Sequence, residues 1–203
     1  SVIDSDPVNY DSDGEVVYNM HSGNNLISYS FQTSQFIGDA LGDAATNVYA
    51  VAGEGSAALN TPDQWMGSLQ AFEAEKGYWL VATADFSFSF NSNDGTLART
   101  AASVREMLDT QQFASRMSED PAYRAVQSDQ QAFFFVNSAT IRGEALTNED
   151  LIIAYNGDQV VGSRYWNVDG FTDVPAIGVD SEGREMYVGY AEVGDKISFK
   201  VLD

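Results

Sequence analysis

The chain has 203 residues, 44% hydrophobic and 12% aromatic, which indicates a globular protein with a sizeable core, as one large domain or two small ones. Ten Lys and Arg against 30 Asp and Glu give a formal charge of −20, so nucleic acid and anionic membrane surfaces would repel it. Cysteine is absent, which excludes disulfides, thiolate metal sites and a cysteine nucleophile.

Residues 1–15 form an acidic N-terminal arm in the sequence. The chain begins without Met, a basic stretch or an apolar run, so we expect a processed product or a piece of a longer protein. No apolar run approaches the roughly 20 residues that a membrane-spanning helix needs, so we expect no membrane insertion.

The arm also contains a candidate calcium turn. Asn9, Asp11, Asp13 and Glu15 place oxygen ligands at alternate positions, like the first half of an EF-hand loop. The second half does not match, because the twelfth position of such a loop would be Met20 instead of a bidentate Glu. Calcium binding and a simple solvated turn are therefore both open, and no other cofactor is predicted.

Residues 16–95 predict a first β-rich module. The segments 16–31 and 85–90 alternate between apolar and polar residues, as half-buried strands do, and the segments 48–52 and 78–82 are apolar strands bounded by turns. In the segment 85–90 the three phenylalanines share one face.

Two helices are predicted in the connections. Ser34 would cap a short one that ends near Gly42. A second, amphipathic helix over roughly 97–118 lies in a linker of residues 96–130 and would stop at Asp120-Pro121. It could pack on either half of the chain or against a partner.

Residues 131–203 predict a second module, a β-sandwich. Its clearest signal is a hairpin over 149–166, because Asn156-Gly157 supplies the positive φ angles of a type I′ turn, and Gly162 would let the second strand bend or bulge. Further strands are expected at 131–136, at 171–177 as an edge strand because it contains proline, at 186–191 and at 196–202. The predicted class is all-β, mainly an antiparallel β-sandwich in two halves, with one or two short helices.

The second half resembles a recurrent β-sandwich module of large secreted and cell-surface proteins of bacteria, especially aquatic ones. The resemblance rests on Gly143-Glu144, on 150–155, on 161–164 and on 194–203. The first half is similar to a companion module through Asn25-Leu26-Ile27-Ser28 and Lys76-Gly77-Tyr78-Trp79-Leu80, and the pairing also resembles marine phage structural proteins. Together the matches span most of residues 16–203. The resemblance implies a sandwich architecture and an extracellular, cell-surface or virion-surface location, and it carries no catalytic residues.

No catalytic motif emerges from the sequence. The single histidine, His21, lies beside a turn without a partner motif, no serine lies in a Gly-x-Ser-x-Gly elbow, and zinc would lack its usual ligands. Acidic residues are abundant enough for a glycosidase pair, yet none lies in a distinctive frame. We therefore expect a protein that is not an enzyme.

Two non-enzymatic functions remain. The first is an extracellular structural or assembly module, such as a virion surface or fibre protein, a filament subunit or a cell-surface domain, whose partners are itself or neighbouring subunits. Open sandwich edges would accept a strand, and the arm Ser1–Glu15 could be the strand that is donated.

The alternative is a carbohydrate-binding or adhesion module that recognises surface glycans through Trp65, Tyr78, Tyr165 and Trp166. In the pairs Tyr78-Trp79 and Tyr165-Trp166, strand alternation sends one ring inward and the other outward. The competing interpretation places both tryptophans in the core, with the tyrosines in cross-strand pairs.

Overall fold

The computed structural model describes residues 9–10, 15–92 and 117–203, with the backbone alone for residues 9 and 10. The fold is all-β, because strands make up 45% of it and are joined in several antiparallel sheets. The strands in chain order are β1 (Asn9–Tyr10), β2 (Val16–Met20), β3 (Gly23–Ser28), β4 (Gln35–Phe36), β5 (Val48–Gly53), β6 (Ser56–Asn60), β7 (Trp65–Gly67), β8 (Ala71–Phe72), β9 (Gly77–Ala82), β10 (Phe86–Phe88), β11 (Gln131–Val136), β12 (Thr140–Ile141), β13 (Glu144–Ala145), β14 (Leu151–Asn156), β15 (Gln159–Tyr165), β16 (Thr172–Ile177) and β17 (Ile197–Leu202).

Helices are short in the described part of the chain. The predicted helix after Ser34 is α1 (Ile37–Leu41), which is followed directly by a 3-10 helix, Gly42–Asn47. A further 3-10 turn, Pro121–Tyr123, begins where the proline was expected to stop a helix, and the Asp120 carboxylate caps it by accepting from the Ala122 amide at 2.9 Å. The predicted amphipathic helix over 97–118 lies almost entirely outside the described residues. None of the helices that the structure describes is long and apolar enough to cross a membrane.

The strands in the described part of the chain form six sheets. The largest has five strands in the order β3-β9-β5-β6-β7, and two others have three strands each, in the orders β1-β2-β10 and β15-β14-β17. The pairs β4-β8, β11-β16 and β12-β13 complete the set.

The chain folds into two compact units. Among the described residues, unit 1 consists of 9–10, 15–52, 59–65 and 70–92, and unit 2 of 53–58, 66–69 and 117–203. Unit 2 thus includes two short segments from the first half of the sequence, whereas the sequence predicts a single division, in a linker over 96–130.

Unit 1 has an aromatic core. The Tyr29 and Phe72 rings stack with centroids 5.5 Å apart, and the Phe90 ring meets each of them edge to face at 5.1 Å. The alternation of Phe86, Phe88 and Phe90 is confirmed, because each ring contacts the next along one face, at 5.7 and 5.2 Å. Edge-to-face and stacked pairs stabilise such a core by about 0.5–1.5 kcal/mol each beyond the area they bury.

Unit 2 has the predicted hairpin. Strands β14 and β15 pair antiparallel, from Leu151 opposite Tyr165 at one end to Asn156 opposite Gln159 at the turn. Their register shifts by one residue between Ala154, which faces Gly162, and Tyr155, which faces Val160. The shift is the expected irregularity beside Gly162. The second reason for this glycine is packing, because a Cβ there would lie 1.9 Å from the Pro175 carbonyl oxygen.

Two strand predictions for unit 2 need correction. The segment 186–191 is not a strand, because Glu185–Tyr187 forms a 3-10 turn and Gly189 has a φ of +85°. Tyr187 and Tyr190 are both buried and meet edge to face at 5.3 Å, a spacing of three residues that a turn provides and a strand does not. Among the strands that the structure describes, the proline-containing β16 pairs only with β11, as an edge strand would, yet all six of its residues are buried.

Candidate functional site

Two sheets of unit 2, β15-β14-β17 and β11-β16, meet along one side. There β15 packs against β16 so closely that Gly162 touches the Pro175 backbone, and the Arg164 Nε donates to the Asp173 carbonyl oxygen at 3.1 Å. The ladders β17-β14-β15 and β16-β11 are therefore joined at β15 and β16, and their free ends are β17 and β11.

The two outer strands, β11 and β17, contact each other through two phenylalanine side chains and not through a ladder of backbone hydrogen bonds. The Phe134 ring of β11 and the Phe199 ring of β17 meet edge to face with centroids 5.1 Å apart. Their side chains remain 37% and 39% exposed, and Leu202 of β17 is 42% exposed. We call Phe134, Phe199 and the two strand edges beside them the seam of unit 2.

The seam lies over the hydrophobic core. That core includes Ala154, Val161 and Val174, and the partly buried Val136 and Val201 pack against it from β11 and β17. By strand alternation Phe134 points to the same side as Val136, and Phe199 to the same side as Val201. The two rings thus lie on the core-facing sides of their strands and are only partly covered there.

Strand β17 presents an unpaired edge. All six of its residues pair with β14, and no described strand pairs with its other side. Exposed strand edges offer unpaired N–H and C=O groups to any extended peptide. The strand is also basic for this chain, because Lys200 lies on it, with its Nζ 4.3 Å from the Tyr155 ring centroid, and Lys196 precedes it.

Of the predicted ligand-binding aromatics in unit 1, Tyr78 is placed inside. Its side chain is buried, and its hydroxyl oxygen accepts a hydrogen bond from the Glu73 amide at 2.8 Å. Burial raises the pKa of Tyr78 to about 12. Strand alternation is confirmed, but the outward ring is that of Trp79. The proposed role of Tyr78 on a ligand-binding surface is therefore wrong. Trp65 is half-buried, and its indole lies against Gly38.

In unit 2 the inward ring is Trp166. It is buried in the hydrophobic core, so it too is unavailable to a ligand, and Tyr165 beside it is half-buried. The competing interpretation placed both tryptophans in the core; this placement is confirmed for Trp166 and wrong for Trp79.

The candidate calcium turn is only partly described. Asp11 and Asp13 lie outside the described residues, the Asn9 backbone pairs with Val17 in the β1–β2 ladder, and Glu15 precedes β2. Across residues 15–92 and 117–203, no three or more His, Asp and Glu side chains gather where they could hold a metal ion. Calcium binding by the turn stays a prediction.

The most buried charges in unit 2 form a structural network. The Asp173 carboxylate accepts from Arg164 Nη2 at 3.3 Å, from the Ala57 amide at 3.1 Å, and from the Ser68 amide and hydroxyl at 2.9 and 2.5 Å. Arg164 Nη2 also donates to the Gly55 carbonyl. Burial raises the pKa of Asp173, while Arg164 and the hydrogen bonds oppose that rise. Donors surround the buried carboxylate, so no substrate could reach it. The network instead holds the segments 53–58 and 66–69 in unit 2.

Sequence reasoning missed the seam and the outward position of Trp79. The strand predicted at 131–136 contains the apolar run Phe133-Phe134-Phe135, in which alternation sends Phe134 to the opposite face from its two neighbours, but the sequence does not show which face is open. Only the contact between Phe134 and Phe199, which lie far apart in the sequence, reveals the open side.

Comparison with protein-family models, with curated proteins and with solved structures gives no match for this chain.

Proposed function

We propose that this chain is a non-enzymatic structural module that assembles with copies of itself, or with neighbouring subunits, by strand addition at the seam of unit 2. The single observation that supports this function is the exposed Phe134–Phe199 contact between two strands, β11 and β17, whose outer edges are unpaired in the described structure. An extended segment is the partner that fits, because it can both pair with a strand edge and cover the rings.

The resemblance to modules of bacterial surface proteins and phage structural proteins supports an extracellular, cell-surface or virion-surface location. The charge of −20 favours a protein that stays soluble until a specific partner binds. The arm at the N-terminus is a candidate donor. Residues 9 and 10 already pair with β2, so donation would use the residues before them.

The test is the mass of the full chain by light scattering over a range of concentrations. We expect oligomers that grow with concentration, and Phe199→Ser should shift their formation to at least tenfold higher concentration. The matched control is Val193→Ser, because Val193 is equally apolar and fully exposed but lies in the turn before β17. A monomer at every concentration, or equal effects of the two variants, would overturn self-assembly at the seam.

Hydrogen exchange adds a second measurement that does not depend on the variants. On assembly, the amides of β17 that point away from β14 should gain protection, whereas the exposed turn around Val193 should not. Unchanged exchange in β17 within an oligomer would place the interface elsewhere and contradict the proposal.

A further inference from the structure

Three neighbouring strands of unit 1, β3, β9 and β5, present an apolar and exposed face. Leu26 of β3 lies directly opposite Trp79 of β9, and Ala52 of β5 lies opposite Trp79 on the other side. Leu26 is 65% and Trp79 39% exposed, and Tyr49 of β5 is 57% exposed. We call the surface of these side chains the Trp79 face.

The indole of Trp79 has small neighbours on this face. Along its own strand the next outward positions are Gly77, which has no side chain, and Val81. Across the sheet it meets Ala52, beside which Ala50 occupies the next outward position. Leu26, opposite the indole on β3, is its one large neighbour, whereas the small side chains on the β5 side leave room for a second flat object to lie against the ring.

Tyr49 is directed onto the same face by a β-bulge. The register between β5 and β9 shifts between Val48 and Ala50, so Tyr49 is the extra residue. Bulges of this kind re-aim a side chain. Tyr49 lies beside Ala50, which pairs with Val81, two residues from Trp79. From strand geometry the two aromatic positions are about 10 Å apart, too far to share one sugar ring but suited to two separate rings of one oligosaccharide.

Among the described residues of β3, β9 and β5, no outward side chain is charged. These outward side chains are apolar except for Asn24 and Ser28 at the rim on β3. In a chain with a formal charge of −20, an uncharged face favours a neutral ligand. A stable protein partner would need about 800 Å² on each side, which three large side chains do not provide.

We propose that the Trp79 face binds a neutral oligosaccharide. A sugar ring has a face of C–H groups that packs on an indole and a rim of hydroxyls that can pair with an amide or a hydroxyl. Trp79 would hold one ring and Tyr49 another ring of the same oligosaccharide, with Leu26 extending the apolar floor and Asn24 and Ser28 at the rim. This site lies in unit 1 and is independent of the seam in unit 2.

The experiment is affinity electrophoresis of the full chain in native gels that contain a neutral polysaccharide, one gel each for a β-glucan, a mannan, a xylan and a galactan. We expect at least one to retard the wild-type chain. Trp79→Ala should weaken that retardation at least tenfold, and Tyr49→Ala should weaken it severalfold. Met186→Ala, which removes an exposed apolar side chain of unit 2, is the matched control and should leave it unchanged.

Tryptophan fluorescence gives a second readout. Binding of the same polysaccharide should shift the emission of the wild-type chain and not that of the Trp79→Ala variant, whose fold is checked by circular dichroism. No retardation by any of the four gels, or retardation that survives Trp79→Ala, would overturn the proposal. Because Phe199→Ser should leave retardation intact, failure of this site and failure of assembly are distinguishable.

Discussion

Arg164 and Asp173 form an ion pair on adjoining strands of unit 2, with the guanidinium Nη2 3.3 Å from the carboxylate oxygen and side chains that are 4% and 2% exposed. The pair is completed by backbone and hydroxyl donors from the segments 53–58 and 66–69. A buried pair of this kind contributes little as an attraction, because the desolvation of both charges opposes it, but the loss of one partner leaves the other charge buried and uncompensated.

Asp173→Asn should therefore lower the free energy of unfolding by about 3–5 kcal/mol, measured by urea denaturation. Adding Arg164→Met should restore part of that loss, because no unpaired charge then remains buried. The matched control is Lys76→Ala in the exposed pair between Lys76 and Glu73, which should change stability by less than about 1 kcal/mol. Equal effects at the buried and exposed pairs would contradict this account.

Gly162→Ala should disrupt unit 2. The new Cβ would lie 1.9 Å from the Pro175 carbonyl oxygen and 2.7 Å from its carbon, and neither backbone atom can rotate away. We expect a loss of about 3 kcal/mol or more in the free energy of unfolding, at the upper end for an overpacked core.

Gly157→Ala is the control for that substitution. Gly157 has a φ of +59° in the β14–β15 turn, and a Cβ there would meet open space. The expected loss is about 1–2 kcal/mol, from the left-handed backbone alone. If Gly157→Ala proves the more damaging of the two in urea denaturation, close packing is not the reason for Gly162.

Tyr78 should make the protein sensitive to alkali. Burial raises its pKa to about 12, whereas an unfolded tyrosine has a pKa of about 10. The folded state therefore keeps a proton that the unfolded state loses, so this contribution to stability is complete below about pH 10 and falls as the pH rises towards 12. Tyr78→Phe should reduce the slope of the urea midpoint against pH in that window.

The same variant should cost about 1–2 kcal/mol near neutral pH, because the Glu73 amide loses its acceptor. Some alkaline slope should remain, since burial also raises the pKa of Tyr29. An unchanged slope in Tyr78→Phe, with tyrosinate absorbance rising before the wild-type chain unfolds, would contradict the prediction.

Asp129 should make the protein sensitive to acid. The Ser181 hydroxyl and the Ser181 amide both donate to its carboxylate and lower its pKa. Its contribution to stability is therefore present above the unfolded pKa of about 4 and is lost as the pH falls through the folded value.

Ser181→Ala should consequently flatten the decrease of the melting temperature below about pH 4, because the hydroxyl donor is removed. Ser87→Ala is the matched control, since the Ser87 hydroxyl donates to a neutral acceptor, Asn19 Oδ1, at 2.7 Å. Equal slopes for Ser181→Ala and the wild-type chain, measured by scanning calorimetry, would show that the contact with Asp129 has no role in acid stability.

The local elements of this protein can be predicted from its sequence. The period-two alternation of Phe86, Phe88 and Phe90 and the turn chemistry of Asn156-Gly157 are read from neighbouring residues, because strand geometry and hairpin turns depend on few adjacent dihedral angles. The all-β class followed from these elements.

Tertiary structure decided which face of each strand is covered. Strand alternation requires that Tyr78 and Trp79 point in opposite directions. It does not say which of the two points inward, because the inward side is decided by the layer that packs beneath the sheet. The tyrosine entered the core and the indole remained exposed. Likewise, the segment that contains Tyr187 and Tyr190 folds as a turn, because both rings reach the same core.

The contacts between residues far apart in the chain could not be predicted from the sequence. Ser68 and Asp173 meet in one buried network, and Phe134 and Phe199 meet at one open seam, although each pair is widely separated along the chain. No local propensity encodes such contacts, because they arise only when sheets from distant segments pack together and leave some strand edges without a partner.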